Sequence, residues 1–216
     1  MSIQAVLFDL DGTVLDTLDD LTNAVNHALT SEGFPTHTAE SVRAMIGNGI
    51  ANLIDRALPH STDREIAARV FSTFKAYYAE HCAVYTKPYD GIMELLSALR
   101  AAGVRTALVS NKADFAVKAL AKTYFAGLFD SVLGELPTLP RKPAPDMIYH
   151  VLDELNVPPS QALFVGDSDT DVLTAANAGV AGIFVTWGFR DRECLAQAGA
   201  TRFASTPAEL AAEILP

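Results

Sequence analysis

VLFDLDGTVLDT, residues 6–17, joins an apolar run to a cluster of acids. Residues Ala5–Phe8 are all apolar and do not alternate, the pattern of a strand buried on both faces of a parallel sheet. Asp9 and Asp11 follow, then Gly12, Thr13 and a third acid, Asp16. A doubly buried strand has no folding reason to finish in two carboxylates, because a carboxylate drawn toward an apolar interior loses its hydration. The acids are therefore expected to hold or to attack something.

The remainder of the chain supplies what such a strand needs around it. Further strand-like runs fall at 106–110, more weakly at 131–134, and at 162–166 and 182–186, with the first extended to 5–10. Amphipathic stretches lie between them at 91–102, 113–123, 145–155 and 169–178. Strands alternating with helices predict an α/β fold with a parallel sheet and right-handed crossovers.

The segment from about Asp16 to His81 breaks this rhythm and holds no convincing strand. TLDD at Thr17–Asp20 and TDRE at Thr62–Glu65 have the form of capping boxes. Leu18, Leu21, Val25, Ala28 and Leu29 form one helical stripe. Ile50, Leu53, Ile54, Ala57 and Leu58 form a second, and Ile66, Val70, Phe74, Tyr77 and Tyr78 a third. A helical bundle is thus expected as an insert over 16–82, with 1–15 and 83–216 forming the α/β core. Pro88 and Gly91 punctuate the return.

Composition narrows the partners. The chain has 216 residues, half of them hydrophobic, enough to bury a large core. Its formal net charge of −10 argues against nucleic acid as a partner. An anionic small molecule would need a local positive pocket or a metal ion. No apolar run is long enough to span a membrane, and there is no signal-like N-terminus. Cys82 and Cys194 show no metal-type spacing and read as reduced thiols. Together these predict a cytoplasmic protein. The five histidines, His27, His37, His60, His81 and His150, also lack ligand spacing. Trp187 is expected to pack near the rim of the site.

The acids recur at strand ends. The run at 106–110 finishes in Ser110, followed by Asn111 and Lys112, and the run at 162–166 is followed by Asp167, Asp169 and Asp171. Ligands of open parallel sheets bind outside the carboxyl ends of the strands at a topological switch point. If these strands are neighbours, Asp9, Asp11, Ser110 and Asp167 converge. Crowded carboxylates repel one another unless a cation sits among them, and oxygen-only ligation suits a hard ion such as Mg2+. Asp16 and Asp169, taken singly, also fit helix caps.

These motifs resemble the haloacid dehalogenase-like superfamily. FDLDGTVLDT matches its DxDGT motif, VSNK its second motif, Lys142 in RKPAPD its third and GDSDTD its fourth, in order along the chain. The resemblance implies a Rossmann-like core with a C1-type helical cap. MIGNGIANLIDRAL and LFVGDSDTDVLTAANAGV look most like phosphoglycolate phosphatases. It further implies a Mg2+-dependent phosphatase acting on a small phosphorylated metabolite, as a monomer or a homodimer. Asp9 would be the nucleophile, forming an aspartyl-phosphate. Asp9, Asp167 and the Asp11 main-chain carbonyl would ligate the metal. The Asp11 carboxylate would serve as general acid and base, and Lys142 would neutralise charge. Ser110 and Asn111 would bind phosphate, aided by Gly12 and Thr13 in the turn, with Asp171 in support. In the insert, the glycines of Gly47–Gly49, with Asn48 between them, and the nearby Arg43 or Arg56 are candidates for the substrate's own groups. Pyrophosphatase, broad sugar-phosphate or nucleotide phosphatase and β-phosphoglucomutase remain as enzymatic alternatives, although GDS rather than EDS disfavours the mutase. A phosphonoacetaldehyde hydrolase would need a Schiff-base lysine, and Lys75 offers no sign of one. A catalytically silent binding protein is the non-enzymatic alternative.

Overall fold

The structure is a computed structural model, and it describes residues 3–47 and 49–215. By its contacts the chain divides into two units. One comprises the chain up to Leu15 and from Pro88 onward, the other Asp16–Lys87.

The first unit is built on a six-stranded sheet. Its strands are β1 (Ala5–Phe8), β4 (Arg105–Ala113), β5 (Ser131–Glu135), β6 (Ala162–Gly166), β7 (Ala181–Val185) and β8 (Phe203–Ala204), in the spatial order β5-β4-β1-β6-β7-β8. Every pairing is parallel. β1 lies between β4 and β6, with Phe8 level with Leu108 on one side and Val165 on the other. The chain builds outward from β4 and then restarts at β6, so β1 marks the switch point of the sheet. The apolar residues of β1 are all fully buried, as their lack of alternation requires. Helices α5 (Ile92–Ala101), α6 (Asp114–Tyr124), α7 (Asp146–Leu155), α8 (Asp169–Ala178), α9 (Arg192–Gln197) and α10 (Pro207–Ile214) complete the unit. Leu7, Val109, Ile148, Phe164, Phe184 and Leu195 share one core cluster. Each such side chain contributes on the order of 1.5–3 kcal/mol by leaving water.

Differences from the sequence reading have local causes. β1 ends at Phe8 rather than Leu10, because the carbonyl of Leu10 closes a turn, accepting from the N–H groups of Thr13, Val14 and Leu15. β4 runs on through polar residues to Ala113, past a register irregularity after Val109. β8, α9 and α10 carry no periodic run long enough to have been read.

The second unit is helical, with α1 (Leu18–Ser31), α2 (Ala39–Met45), α3 (Ile50–Ala57) and α4 (Arg64–His81). Val25, Leu29, Val42, Ile54, Val70 and Phe74 form its core. The two expected capping boxes do not form. Thr17 makes no side-chain cap bond, and the Asp16 carboxylate accepts from the Leu18 N–H instead. α4 is capped by Asp63, one residue later than expected, while Thr62 turns its hydroxyl to the Pro59 carbonyl. Asp20 has a different task. It is 2% exposed, and its carboxylate accepts from the N–H groups of Val84, Tyr85 and Thr86 and from the Thr86 hydroxyl. These bonds keep residues 84–86 with the helical unit, which therefore runs to Lys87 rather than stopping at 82. Two-residue strands β2 (Leu15–Asp16) and β3 (Lys87–Pro88) pair where the chain passes between units. Among the described residues no helix is long and apolar enough to cross a membrane.

Candidate active site

The adjacency of β4, β1 and β6 brings their carboxyl ends together, and with them Asp9, Ser110 and Asp167. Asp9 follows β1 directly and is tied to β6 through its N–H, which donates to Val165 O at 2.8 Å. Its side chain is carried into the interior with little access to water, at 9% exposure. Lys142 approaches it from the loop before α7, with Nζ 2.9 Å from Asp9 Oδ1 but not aligned for a hydrogen bond. The same Nζ donates to Asp171 Oδ1 at 2.7 Å. Asp9 Oδ1 is thus a buried oxygen with no hydrogen-bond donor.

Asp167 is held differently. Its two oxygens accept from the Thr13 hydroxyl at 2.9 Å and from the Phe189 N–H at 2.7 Å. That grip requires close backbone. A Cβ on Gly12, whose φ is +85°, would lie 2.3 Å from Asp167 Oδ2, and one on Gly188 would lie 2.4 Å from the Gly12 carbonyl. Thr13 was assigned to phosphate in the sequence reading, but its hydroxyl is spent on Asp167. Trp187 donates its indole N–H to the Thr13 carbonyl and so pins the same turn.

Asp171 caps and orients. Its Oδ2 accepts from the Ser168 hydroxyl and from the N–H groups of Asp167 and Ser168, closing a capping box at the start of α8. Ser168 is therefore the cap, and Asp169, the residue first taken for it, lies in the first turn with Arg190 3.8 Å away. Ser110 is buried, and its Oγ accepts from the Lys112 N–H. The Asn111 side chain exchanges two hydrogen bonds with the Lys142 main chain, at 2.8 and 2.9 Å. Its amide therefore positions the lysine. The Asp11 carboxylate receives Lys112 Nζ at 2.7 Å.

Burial and crowding act on the charges. Desolvation pushes Asp9 up to about 7, with Lys142 pulling it down and Asp171 pushing it further up. Asp167 is driven well above the ordinary aspartate range by burial and by Asp171 and Asp9, against the donors Phe189 and Thr13. Burial works against the Lys142 ammonium, but Asp171 and Asp9 outweigh it and hold the group above its usual range. Oxygens of Asp9, Asp167 and Asp171 all lie within 4.8 Å of one another. Asp171 is already committed to Lys142 and to the cap. That leaves Asp9, with its donorless oxygen, and Asp167 as the pair that suits a hard divalent cation, which would relieve the repulsion. The donor set fits Mg2+.

The residues assigned to substrate in the helical unit are less gathered. Arg43 is exposed in the last turn of α2, and Asn48 lies outside the described residues. Arg56 donates to the carbonyls of Met45 and Gly47 and so braces the loop before α3. The sequence reading placed Lys112 and Ser168 at strand ends without giving them a role, and it missed the Phe189 amide. Lys112 left a signal as a charge just past a buried strand, and Ser168 left one in the Ser-x-x-Asp pattern of SDTD at 168–171; the Phe189 amide left none.

Three comparisons bear on this geometry. A family model described as haloacid dehalogenase-like hydrolase matches residues 6–185. A phosphoglycolate phosphatase of Neisseria meningitidis is 33% identical, covering 93% of this chain and 87% of its own. Its namesake from Pseudomonas syringae pv. tomato is 37% identical over 89% of this chain and 72% of its own. A solved structure from Lactobacillus delbrueckii subsp. bulgaricus, provisionally named a phosphoglycolate phosphatase, superposes with a TM-score of 0.96 at 37% identity, covering 100% of this chain and 99% of that one.

Proposed function

This chain belongs to the haloacid dehalogenase-like hydrolases and is a phosphatase of that family, and we propose that it hydrolyses 2-phosphoglycolate through an aspartyl-phosphate on Asp9. The observation that carries the reading is the buried Asp9 oxygen, without a hydrogen-bond donor, beside Lys142 and Asp167 at the switch point of the sheet. The names of the relatives support the substrate.

In the first step an Asp9 oxygen attacks phosphorus and the bond to the leaving alcohol breaks. Asp11 delivers its proton to the departing oxygen. In the second, Asp11 takes a proton from a water that attacks phosphorus, and inorganic phosphate leaves with Asp9 restored. Splitting hydrolysis in this way replaces one hard displacement by two easier ones. Proton transfer by Asp11 contributes roughly 10²–10⁴-fold. Lys142 offsets phosphate charge in a water-poor site, where a fixed cation acts more strongly than in solvent. Ser110 supplies a hydroxyl to a phosphate oxygen. Mg2+, held by Asp9, Asp167 and the Asp11 carbonyl, would supply the Lewis acidity that lets one anion approach another. Selection among phosphomonoesters is assigned to the helical unit, read as a cap, through Arg43 and the 47–49 loop.

The test is a panel of phosphorylated metabolites compared by kcat/KM, with and without Mg2+. The reading expects 2-phosphoglycolate to lead and chelator to abolish turnover reversibly. Full activity in excess chelator would remove the metal role, and a flat panel would reduce the assignment to a general phosphomonoesterase.

A further inference from the structure

We propose that Lys112 is a positioning residue that aims the Asp11 carboxylate for proton transfer. The inference rests on the role assigned to Asp11 above.

Lys112 is a second buried cation in the core unit, and the chemistry already assigned does not call for it. Its side chain is only 4% exposed, and its Nζ lies 2.7 Å from Asp11 Oδ1. An ammonium out of water is tolerated only against a close counter-charge, so the pair is held together by the burial of its cationic member. Asp11, by contrast, sits in the turn after β1 with a side chain 19% exposed. A short carboxylate in a turn, partly open to solvent, would otherwise sample several rotamers.

The lysine's own main chain is fixed. It sits near the end of β4, next to β1 in the sheet, two residues beyond Ser110, whose Oγ accepts the Lys112 N–H at 3.2 Å. Between them, the Asn111 side chain grips the Lys142 main chain by two hydrogen bonds. One three-residue run therefore reaches the proposed phosphate donor, the phosphate-neutralising lysine and the proton-transfer acid. The contact to Asp11 is made through Oδ1, which leaves Oδ2 for the proton. Asp11 must serve twice, toward the leaving oxygen and then toward water, and a fixed donor on one oxygen holds the other in a constant direction. Misplacement of a catalytic group by about 1 Å can cost 10²-fold in rate.

The test compares Lys112→Met and Lys112→Arg, with and without Asp11→Asn, on two substrates. One is 2-phosphoglycolate, whose alkoxide leaving group needs a proton. The other is p-nitrophenyl phosphate, whose leaving group needs little. The quantity read is kcat/KM, which stops at leaving-group departure and so excludes the second step. Lys112→Met should lower it by about 10–100-fold for 2-phosphoglycolate and by several-fold less for p-nitrophenyl phosphate. Lys112→Arg should restore part of the loss. In the Asp11→Asn background, Lys112→Met should cost 2-phosphoglycolate nothing further. Methionine keeps the apolar stem in place; should that variant fail to fold, Lys112→Gln carries the same comparison. An equal loss on both substrates, or the same loss with and without Asp11, would overturn the proposal. So would a rise in KM for 2-phosphoglycolate at unchanged kcat, which would make Lys112 a substrate contact. The underlying reading fails separately, if Asp11→Asn alone slows the two substrates alike.

Discussion

Two buried aspartates, one in each unit, show what burial does to the same side chain in different company. Asp20, in the helical unit, meets three main-chain N–H groups and a hydroxyl, at 2.7–3.1 Å. Asp9, at the end of β1, keeps one buried oxygen without a donor and stands among other acids. A carboxylate whose oxygens are all met is a fastener: it ties residues 84–86 to α1. Asp9 is offset only by the Lys142 ammonium at 2.9 Å, which it shares with Asp171, so part of its desolvation cost stays uncompensated. A structure retains such a cost where the group is needed for something else. The contrast motivates the proposed division between a folding residue, Asp20, and a reactive one, Asp9.

The comparison breaks if the two residues respond alike to loss of charge. Asp9→Asn should reduce turnover by at least about 10³-fold, the scale of losing a nucleophile. In chelator its thermal stability should equal or exceed that of the parent, because a repelled, desolvated charge has been removed. Assay and melting curve on the same preparation check both halves. Asp20→Asn should do the reverse. Loss of charge-assisted hydrogen bonds should cost about 1.5–3 kcal/mol, read as a lower denaturation midpoint, while kcat per folded molecule stays within a few-fold of the parent. A loss of turnover in a well-folded Asp20→Asn protein would place that acid in the chemistry after all.

A smaller effect sharpens the contrast through pH. Asp9 in the folded chain titrates near 7, raised by burial, and Asp167 is raised as well. The folded state therefore binds more protons than the unfolded chain over this range. Stability of the metal-free protein should fall as pH rises from about 4 to about 7. Mg2+ favours the charged carboxylates and should flatten that slope. Denaturant midpoints at several pH values, in chelator and in Mg2+, read the difference, and identical slopes would remove the cation from the cluster.

How much of this was legible beforehand follows from where each signal resides. β1 and β6 are unbroken apolar runs, so their being buried strands, and the acids just past them, could be read directly, whereas their adjacency comes from the fold. β4 was read short because its last residues, Ser110–Ala113, are polar or small and pair only after an irregular register. β8 has two residues and no pattern to detect. The role of Asp20 was hidden because its donors lie 64–66 positions away, and the near pattern of TLDD suggested a cap instead. Thr13 looked like part of a phosphate loop, yet its partner Asp167 is 154 residues distant. Strand-end chemistry is written locally, whereas the partners that hold it in place are contributed by the fold.

The most direct test of Asp9 as the reactive member of the pair is to catch the phosphoryl group. Enzyme mixed with 32P-labelled 2-phosphoglycolate and Mg2+, quenched in acid during turnover and mapped by peptide, should carry alkali-labile label on the peptide containing Asp9. The Asp11→Asn variant, slowed in the second step, should accumulate more of it relative to its turnover, and Asp9→Asn should carry none. Label on another residue, or active enzyme whose Asp9 peptide stays unlabelled in both the parent and Asp11→Asn, would contradict the account.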